Sequence, residues 1–320
     1  MSNGYLDFEK PIVDLLQRLE LLKTDKSLSA QELKKRETVL EEELLQTRKA
    51  IYSKLSPWQK VQIARHPKRP YFLDYIQRIG SDFFELNGDR LFRNDLSIVG
   101  GFVTIGDIKL MAIGHMKGRT LKENLLRNFG CPMPEGYRKA MRLMKLAEKF
   151  RLPVVTFIDT AGAYPGIGSE ERHVGAAIAN NLMEMSGLKV PIVSIVIGEG
   201  GSGGALGIGV ADKVLMMENA YYSVISPEGC AAILWKDKKH APQAAALLKL
   251  TAQELLELKI IDQVIPEPLG GAHWDWDKAA HILKEHLLST LVPLLALDPQ
   301  QLLENRYLRY RRIGQWLEKG

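Results

Sequence analysis

The sequence predicts an α/β fold, on three observations. Apolar runs of strand length, Leu152 to Ile158 and Val190 to Ile197 among them, alternate with segments of helical periodicity. These runs lack the in–out alternation of a half-exposed sheet, so they read as buried, mostly parallel strands. Two glycine-rich loops, Ile158 to Gly168 and Gly198 to Ala211, each begin where such a run ends. That is where open α/β sheets bind ligands. With 320 residues, 46% of them hydrophobic, the chain can bury a sizeable core in one large or two smaller domains.

The elements follow in chain order. Pro11 suits a first helical position, and Ile12, Leu15, Leu16, Leu19 and Leu22 form one apolar stripe. Ser29 with Glu32 has the spacing of a capping box for a second helix, carrying Leu33, Leu40, Leu44 and Ile51. Residues 1–58 therefore read as a helical hairpin with no chemistry of its own, a packing or partner surface. Ile98 to Ile105 and Ile108 to Ile113 flank Gly106-Asp107, a two-residue hairpin signal. A helix follows over Tyr137 to Phe150, then the strand Leu152 to Ile158, a helix over Glu170 to Met185 and the strand Val190 to Ile197. The glycine-rich segment reads as a helix start. Val214 to Met217, Tyr222 to Ile225 and Ile260 to Ile265 are further short strands, and Thr251 with Glu254 caps one more helix. From about Trp276 the chain reads as helices again, broken by Pro293 and by Asp298-Pro299.

Composition narrows the function. A net charge of +5 suits anionic ligands but is too mild to indicate nucleic acid. Arg306-Tyr-Leu-Arg-Tyr-Arg-Arg312 reads as a solvated helix face ahead of a phosphate-binding tail. Cys131 and Cys230 are the only cysteines and form no C-x-x-C, which excludes a cysteine-built zinc site and argues against a disulfide framework. No early apolar run resembles a signal peptide, and no run of about 18 apolar residues could span a bilayer. A cytoplasmic protein with no membrane role is expected.

Gly198, Gly200 and Gly203 satisfy G-x-G-x-x-G, and Glu218 lies at a suitable distance for a dinucleotide site. The pattern is short, and turns or close packing explain it equally well. Further glycines at 204, 207 and 209 cost about 1 kcal/mol each inside a helix, which suggests close backbone approach. Helix-start N–H groups have no intrahelical partner, and they can hold a phosphate or an oxyanion that forms only during reaction. Side-chain candidates are few. His115 follows a strand and reads as ligand-facing or structural; Asp159 reads as a loop-shaping Asx residue ahead of a base. Glu170-Glu171-Arg172 reads as charge at a helix N-terminus. The absence of a plain nucleophile points to oxyanion stabilisation.

Beyond these loops the sequence resembles the family of carboxyltransferase α subunits of bacterial acetyl-CoA carboxylase. The shared motifs include Ala64-Arg-His-Pro-Lys-Arg-Pro70, Gly114-His-Met-Lys-Gly-Arg119, Arg127-Asn-Phe-Gly130 and Pro134-Glu-Gly-Tyr-Arg-Lys139. They continue through Ile158 to Gly168, Gly198 to Leu206, Tyr222 to Cys230 and Ile265 to His273, so the resemblance runs nearly end to end.

The resemblance implies a crotonase-like core of ββα units coiled into a spiral. The division it implies is a hairpin over 1–58, a carboxyltransferase core over 59–273 and a C-terminal helical segment over 274–320. The implied reaction moves a carboxyl group from carboxybiotin, held on a biotin carboxyl carrier protein and not on this chain, to acetyl-CoA. The product is malonyl-CoA for fatty acid biosynthesis. A β subunit of similar fold, bearing the zinc, completes an α2β2 assembly, with biotin carboxylase in the larger complex. No metal is expected on this chain. Main-chain N–H groups of Gly203 and Gly204 are the implied catalytic donors to the ureido oxygen. Gly200 and Gly201 shape the turn, and Thr160, Gly162, Ala163, Tyr164 and Gly166 wall the biotin pocket. No protein base is then required.

Two departures from the family pattern stand out. Ala161 occupies a usual proline, and Glu170-Glu-Arg-His-Val-Gly-Ala176 replaces the usual Glu-Glu-Arg-Gly-Gln-Ser-Glu. The second leaves His173 where the family has glycine.

Overall fold

The computed structural model describes residues 4–314 apart from residue 26; the outermost residues of both terminal segments, 1–3 and 315–320, lie outside it. The two hairpin helices form at Lys10–Thr24 and Ala30–Tyr52. Ser29 accepts the Glu32 N–H as an N-cap. Of the first stripe, Ile12, Leu15 and Leu19 are buried, whereas the second helix buries no residue fully. The hairpin is anchored by Glu9, which is buried at its base. One Glu9 oxygen accepts from Leu6 N–H at 2.7 Å, and the other from the Tyr52 hydroxyl and from Trp274 Nε1 at 3.3 Å. Burial works to raise the Glu9 pKa, but hydrogen bonds from His273, Tyr52 and Leu6 outweigh it and hold the carboxyl at about 2.

One eight-stranded mixed sheet carries the core. Strands β1 (Gly80–Glu85), β2 (Ile98–Ile105) and β3 (Ile108–His115) make an antiparallel meander. The turn at Gly106 has φ +60, as the Gly-Asp signal requires. β4 (Val154–Thr160), β5 (Ile192–Gly201), β6 (Lys213–Met217) and β8 (Gln263–Ile265) then add in parallel, in the order β3-β4-β5-β6-β8. The short β7 (Tyr221–Ser223) pairs with the end of β5. Every residue of β4 and β5 is buried, as the continuous apolar runs anticipate.

Several boundaries differ from the sequence reading. β5 runs on into the glycines: Gly200 pairs with Thr160 on one side and with Tyr222 on the other. The glycine helix spans only Ser202–Leu206, so Gly207 and Gly209 lie beyond it. They serve packing: a Cβ on Gly207 would stand 2.5 Å from the Tyr137 ring. The expected helix over Glu170 to Met185 is split into Ile167–Glu170 and Val174–Gly187. His173 separates them at φ +62, while Arg172 is drawn to Glu135 by bonds of 3.1 and 3.0 Å. Pro293 lies inside the helix Trp276–Leu295, which ends two residues beyond it rather than just before it.

The arginine-rich end is a solvated face only in part: Tyr307, Arg311 and Arg312 are exposed, but Arg306 is not. Helix Pro299–Arg311 turns Arg306 inward, 1% exposed, where it donates to Asp212 and to the carbonyls of Met185, Leu188 and Val190. Leu283, Leu287 and Leu291 of the preceding helix are fully buried in the same hydrophobic cluster as β4 and β5.

Candidate active site

Both glycine loops leave the sheet side by side, because β4 and β5 are parallel neighbours. In the first, Thr160 Oγ1 donates to Gly130 O at 2.7 Å and accepts the Gly162 N–H at 3.1 Å. Tyr164 N–H donates to Pro132 O at 2.9 Å. Loop 160–166 is thus braced from outside by segment 130–132. Gly166 caps the short helix that follows, under the Tyr164 ring. Ala161, at the position of the usual proline, is exposed and hands its carbonyl to the inner face of the turn.

The second loop packs onto the first through missing side chains. A Cβ on Gly201 would lie 2.8 Å from Thr160 O, and one on Gly204 would lie 2.6 Å from Ala163 N and 2.7 Å from Gly162 Cα. Those neighbours are main chain and cannot swing aside, so glycine is required at both positions. Gly200 is packed equally tightly against the Tyr222 ring, at 2.7 Å. Gly203 differs: its Cβ position meets only Ile178 Cδ1 at 3.6 Å. It borders an apolar cavity of about 230 Å³ lined by Ser202, Leu206, Tyr222, Ser223, Val224, Leu255 and Ile260. No side chain caps the helix Ser202–Leu206, so its first-turn N–H groups have no side-chain partner.

The structure brings Thr160, Gly162 and Ala163 against Gly200, Gly201 and Gly204, as one constellation. Tyr164 and Gly166 sit farther along the wall. His115, one of the two readings left open above, is structural. It is fully buried beneath the glycine helix, where its Nδ1 accepts the Asp159 N–H at 3.3 Å. Burial, reinforced by Lys117, pushes its pKa down to about 3, so the ring is neutral. Asp159 accepts the Glu199 N–H at 2.9 Å and the Lys117 ammonium at 2.6 Å, a loop-shaping role.

Sequence reasoning missed two features. Gly200-Gly201-Ser202-Gly203-Gly204 also fits G-x-S-x-G, and Ser202 sits at φ +50 on the strand-to-helix turn. Among the described residues no imidazole hydrogen-bonds its hydroxyl, so no activated serine is built here. The second feature is the buried ion cluster Lys117, Asp159, Glu199 and Arg65 under the loops. The charged residues were legible; their convergence from four elements was not.

Glu9, His66 and His273 also converge, with potential ligand atoms within 4.8 Å of one another. They do not fit a metal. His66 Nδ1 accepts the Lys68 N–H at 3.1 Å and Nε2 faces Gly4 O at 2.5 Å, so the ring has no free lone pair. The cluster latches the N-terminal segment.

The acetyl co-enzyme A carboxylase carboxyltransferase-like family model matches residues 5–314. Acetyl-coenzyme A carboxylase carboxyl transferase subunit alpha of Thermus thermophilus is 53% identical over 313 residues, covering 98% of this chain and 99% of that protein. Its Vibrio cholerae counterpart is 54% identical over 317 residues, with the same coverage. Among solved structures, a Pseudomonas malonate decarboxylase hetero-tetramer in complex with coenzyme A superposes with a TM-score of 0.59 at 12% identity, over 75% of this chain and 96% of that one. Transcarboxylase 12S gives 0.53 at 16% identity, over 79% and 44%. The structural likenesses show the fold alone, which is crotonase-like.

Proposed function

The chain belongs to the family of acetyl-CoA carboxylase carboxyltransferase α subunits, and from that premise we propose that its glycine helix start is the oxyanion site of carboxyl transfer. One observation carries this reading: an uncapped helix N-terminus beside an apolar cavity, with Gly204 wedged into the main chain of the facing loop. Such a place suits a compact ring system with an apolar edge for the cavity and a carbonyl oxygen for the helix start, as the thiolane and ureido rings of biotin supply. When bound, carboxybiotin supplies the carboxyl group that turns acetyl-CoA into malonyl-CoA.

Gly203 and Gly204 would hold the ureido oxygen through their N–H groups and would stabilise negative charge at that position. Preorganised donors of this kind need no reorganisation during reaction, and removing one typically costs about 10²–10³ in rate. Gly200 and Gly201 keep the turn flush with Thr160. The wall from Thr160 through Gly162, Ala163 and Tyr164 to Gly166 orients the ring and excludes water. No residue of the constellation is asked to move a proton.

The rest of the site belongs to a partner. Leu91, Phe92, Leu121, Leu125 and Ile167 are 80, 59, 69, 61 and 79% exposed. Apolar side chains displayed in such number suit a surface that another chain covers. A zinc-bearing β subunit in an α2β2 assembly fits it, with biotin carboxyl carrier protein delivering its group and biotin carboxylase recharging it. Residues 1–58 serve this assembly and 59–273 the chemistry, while the helices Trp276–Leu295 and Pro299–Arg311 close the core. Among the described residues no helix is long and apolar enough to cross a membrane, and a cytoplasmic location accords with that.

The test is Gly204→Ala in the assembled enzyme. The added methyl group drives the helix start off the Gly162–Ala163 main chain. A fall of about 10²–10³ in kcat is expected, while Gly203→Ala, whose methyl has room, stays within about tenfold. Wild-type turnover in Gly204→Ala would refute the assignment.

A further inference from the structure

Lys117 lies two residues beyond β3, and its ammonium reaches the roots of both glycine loops at once. Nζ is 2.6 Å from Asp159 Oδ1 and 2.8 Å from Glu199 Oε2. Asp159 is the residue before Thr160, and Glu199 the residue before Gly200. The three side chains are only 13, 3 and 9% exposed. Their approach depends on a glycine: a Cβ on Gly198 would stand 2.8 Å from the Asp159 carboxyl carbon. Asp159 Oδ1 also accepts the Glu199 N–H, so the two strand ends are stapled by main chain as well as by charge. On its far side Glu199 Oε1 accepts from Arg65 Nε at 2.7 Å and from the Tyr221 hydroxyl at 2.8 Å. Tyr221 opens the strand that pairs with Glu199, Gly200 and Gly201.

The stem of Lys117 has a second contact. It lies over Gly130, where a Cβ would meet its Cγ at 2.6 Å, and Gly130 is the residue whose carbonyl braces Thr160. One lysine therefore touches the root of the first loop, the root of the second and the outer brace of the first. Burial works to lower its pKa, but Asp159 and Glu199 more than offset burial and hold it above the ordinary lysine range. Glu199 is the mirror case: burial would raise it, and Lys117 and Arg65 hold it at about 2.

We propose that Lys117 is a positioning residue for the reaction, fixing the separation of the two glycine loops and so the aim of the Gly203 and Gly204 N–H groups. This rests on the oxyanion assignment above. A buried ion cluster is a poor way to add stability, since apolar side chains of the same volume do as well. What it adds here is register between two strand ends whose glycines must mesh to within a few tenths of an ångström. A misplacement of about 1 Å at a reacting centre costs on the order of 10² in rate.

The experiment uses the chain assembled with its β subunit and compares Lys117→Met, the charge-balanced pair Lys117→Met/Asp159→Asn, and Gly204→Ala. In the pair Glu199 keeps Arg65 and Tyr221, and the asparagine oxygen can still accept the Glu199 N–H, so the buried charge deficit is relieved while the bridge stays absent. The expected result is a kcat lower by about 10–100-fold in both lysine variants, with KM for acetyl-CoA within about twofold. Thermal stability recovers in the pair, but kcat does not. A pair that regains both stability and kcat overturns the proposal, because it assigns Lys117 to folding alone; so does wild-type kcat in assembled Lys117→Met. If the single variant does not assemble, the pair decides. Gly204→Ala separates the two readings: full turnover there removes the oxyanion assignment, whereas loss there with normal kcat in the lysine variants removes only the positioning role.

Discussion

Arg306 grips Asp212 with both ends of its guanidinium, Nε to Oδ1 and Nη2 to Oδ2, each at 2.8 Å. The pair is buried, and the remaining donors close the carbonyls of the chain leading into β5. Asp212 in turn accepts the Ile192 N–H at 2.7 Å, where β5 begins. Arg306→Met therefore leaves an unpaired buried carboxylate, and the expected loss of stability is about 3–5 kcal/mol, read from urea unfolding. Because the pair sits at the far end of β5 from the glycines, kcat per folded complex should not change. A variant as stable as wild type would show that the helix Pro299–Arg311 is not clamped as described.

His173 has a left-handed backbone, φ +62, at the position where the family pattern carries glycine. Left-handed geometry disfavours a residue with a Cβ, although histidine tolerates it better than most. His173→Gly should raise stability by a few tenths to about 1 kcal/mol, measured as a shift in the thermal midpoint. Destabilisation instead would mean that the imidazole makes a contact worth more than the strain it bears.

Stability should fall as pH falls from 6.5 toward 4. Burial holds His66 at about 4, reinforced by His273, and burial with Lys117 holds His115 at about 3. Unfolded, each imidazole accepts a proton near 6.5, so acid favours the unfolded chain by up to about 1.4 kcal/mol per pH unit per histidine. The carboxylates add to this below 4.5, since Glu199 and Glu267 are held at about 2 against burial by Lys117 and Arg69 respectively. Their stabilisation is full above the unfolded carboxyl pKa and is lost as pH falls toward 2. Thermal midpoints from pH 7 to 4 test this, and His66→Gln should flatten the upper part of the slope. A midpoint independent of pH over that window would contradict the burial of both rings.

The two glycine loops were legible because each follows an apolar run, and the sheet places them as neighbours. The extent of the glycine helix was not. Gly207 and Gly209 read as helix interior, yet Tyr137, from a helix about 70 residues earlier in the chain, meets Gly207 and ends that reading. Arg306 misled for the same reason: a run of arginines looks solvated until a distant Asp212 is brought beneath it. The hairpin at Gly106-Asp107 and the caps at Ser29 and Thr251 were readable, since their partners lie within a few residues.

The hairpin should matter to assembly more than to chemistry. Its second helix buries no residue fully, and Val39 and Leu45 are 61 and 43% exposed. Its base is fixed to the core through Glu9, Tyr52 and Trp274. Deleting residues 1–58 should lower the assembled mass in light scattering, with activity falling in proportion to the complex that remains. Full assembly with lost catalysis would assign the hairpin to the active site instead.

On the reading proposed above, this chain supplies one half of a carboxyltransferase site. The most direct measurement of this is malonyl-CoA formation from acetyl-CoA and carboxylated carrier protein, made with the purified chain alone and with the co-purified zinc-bearing β subunit. Turnover is expected only with the β subunit present. Turnover by the chain alone, or none by the assembled pair, would contradict it.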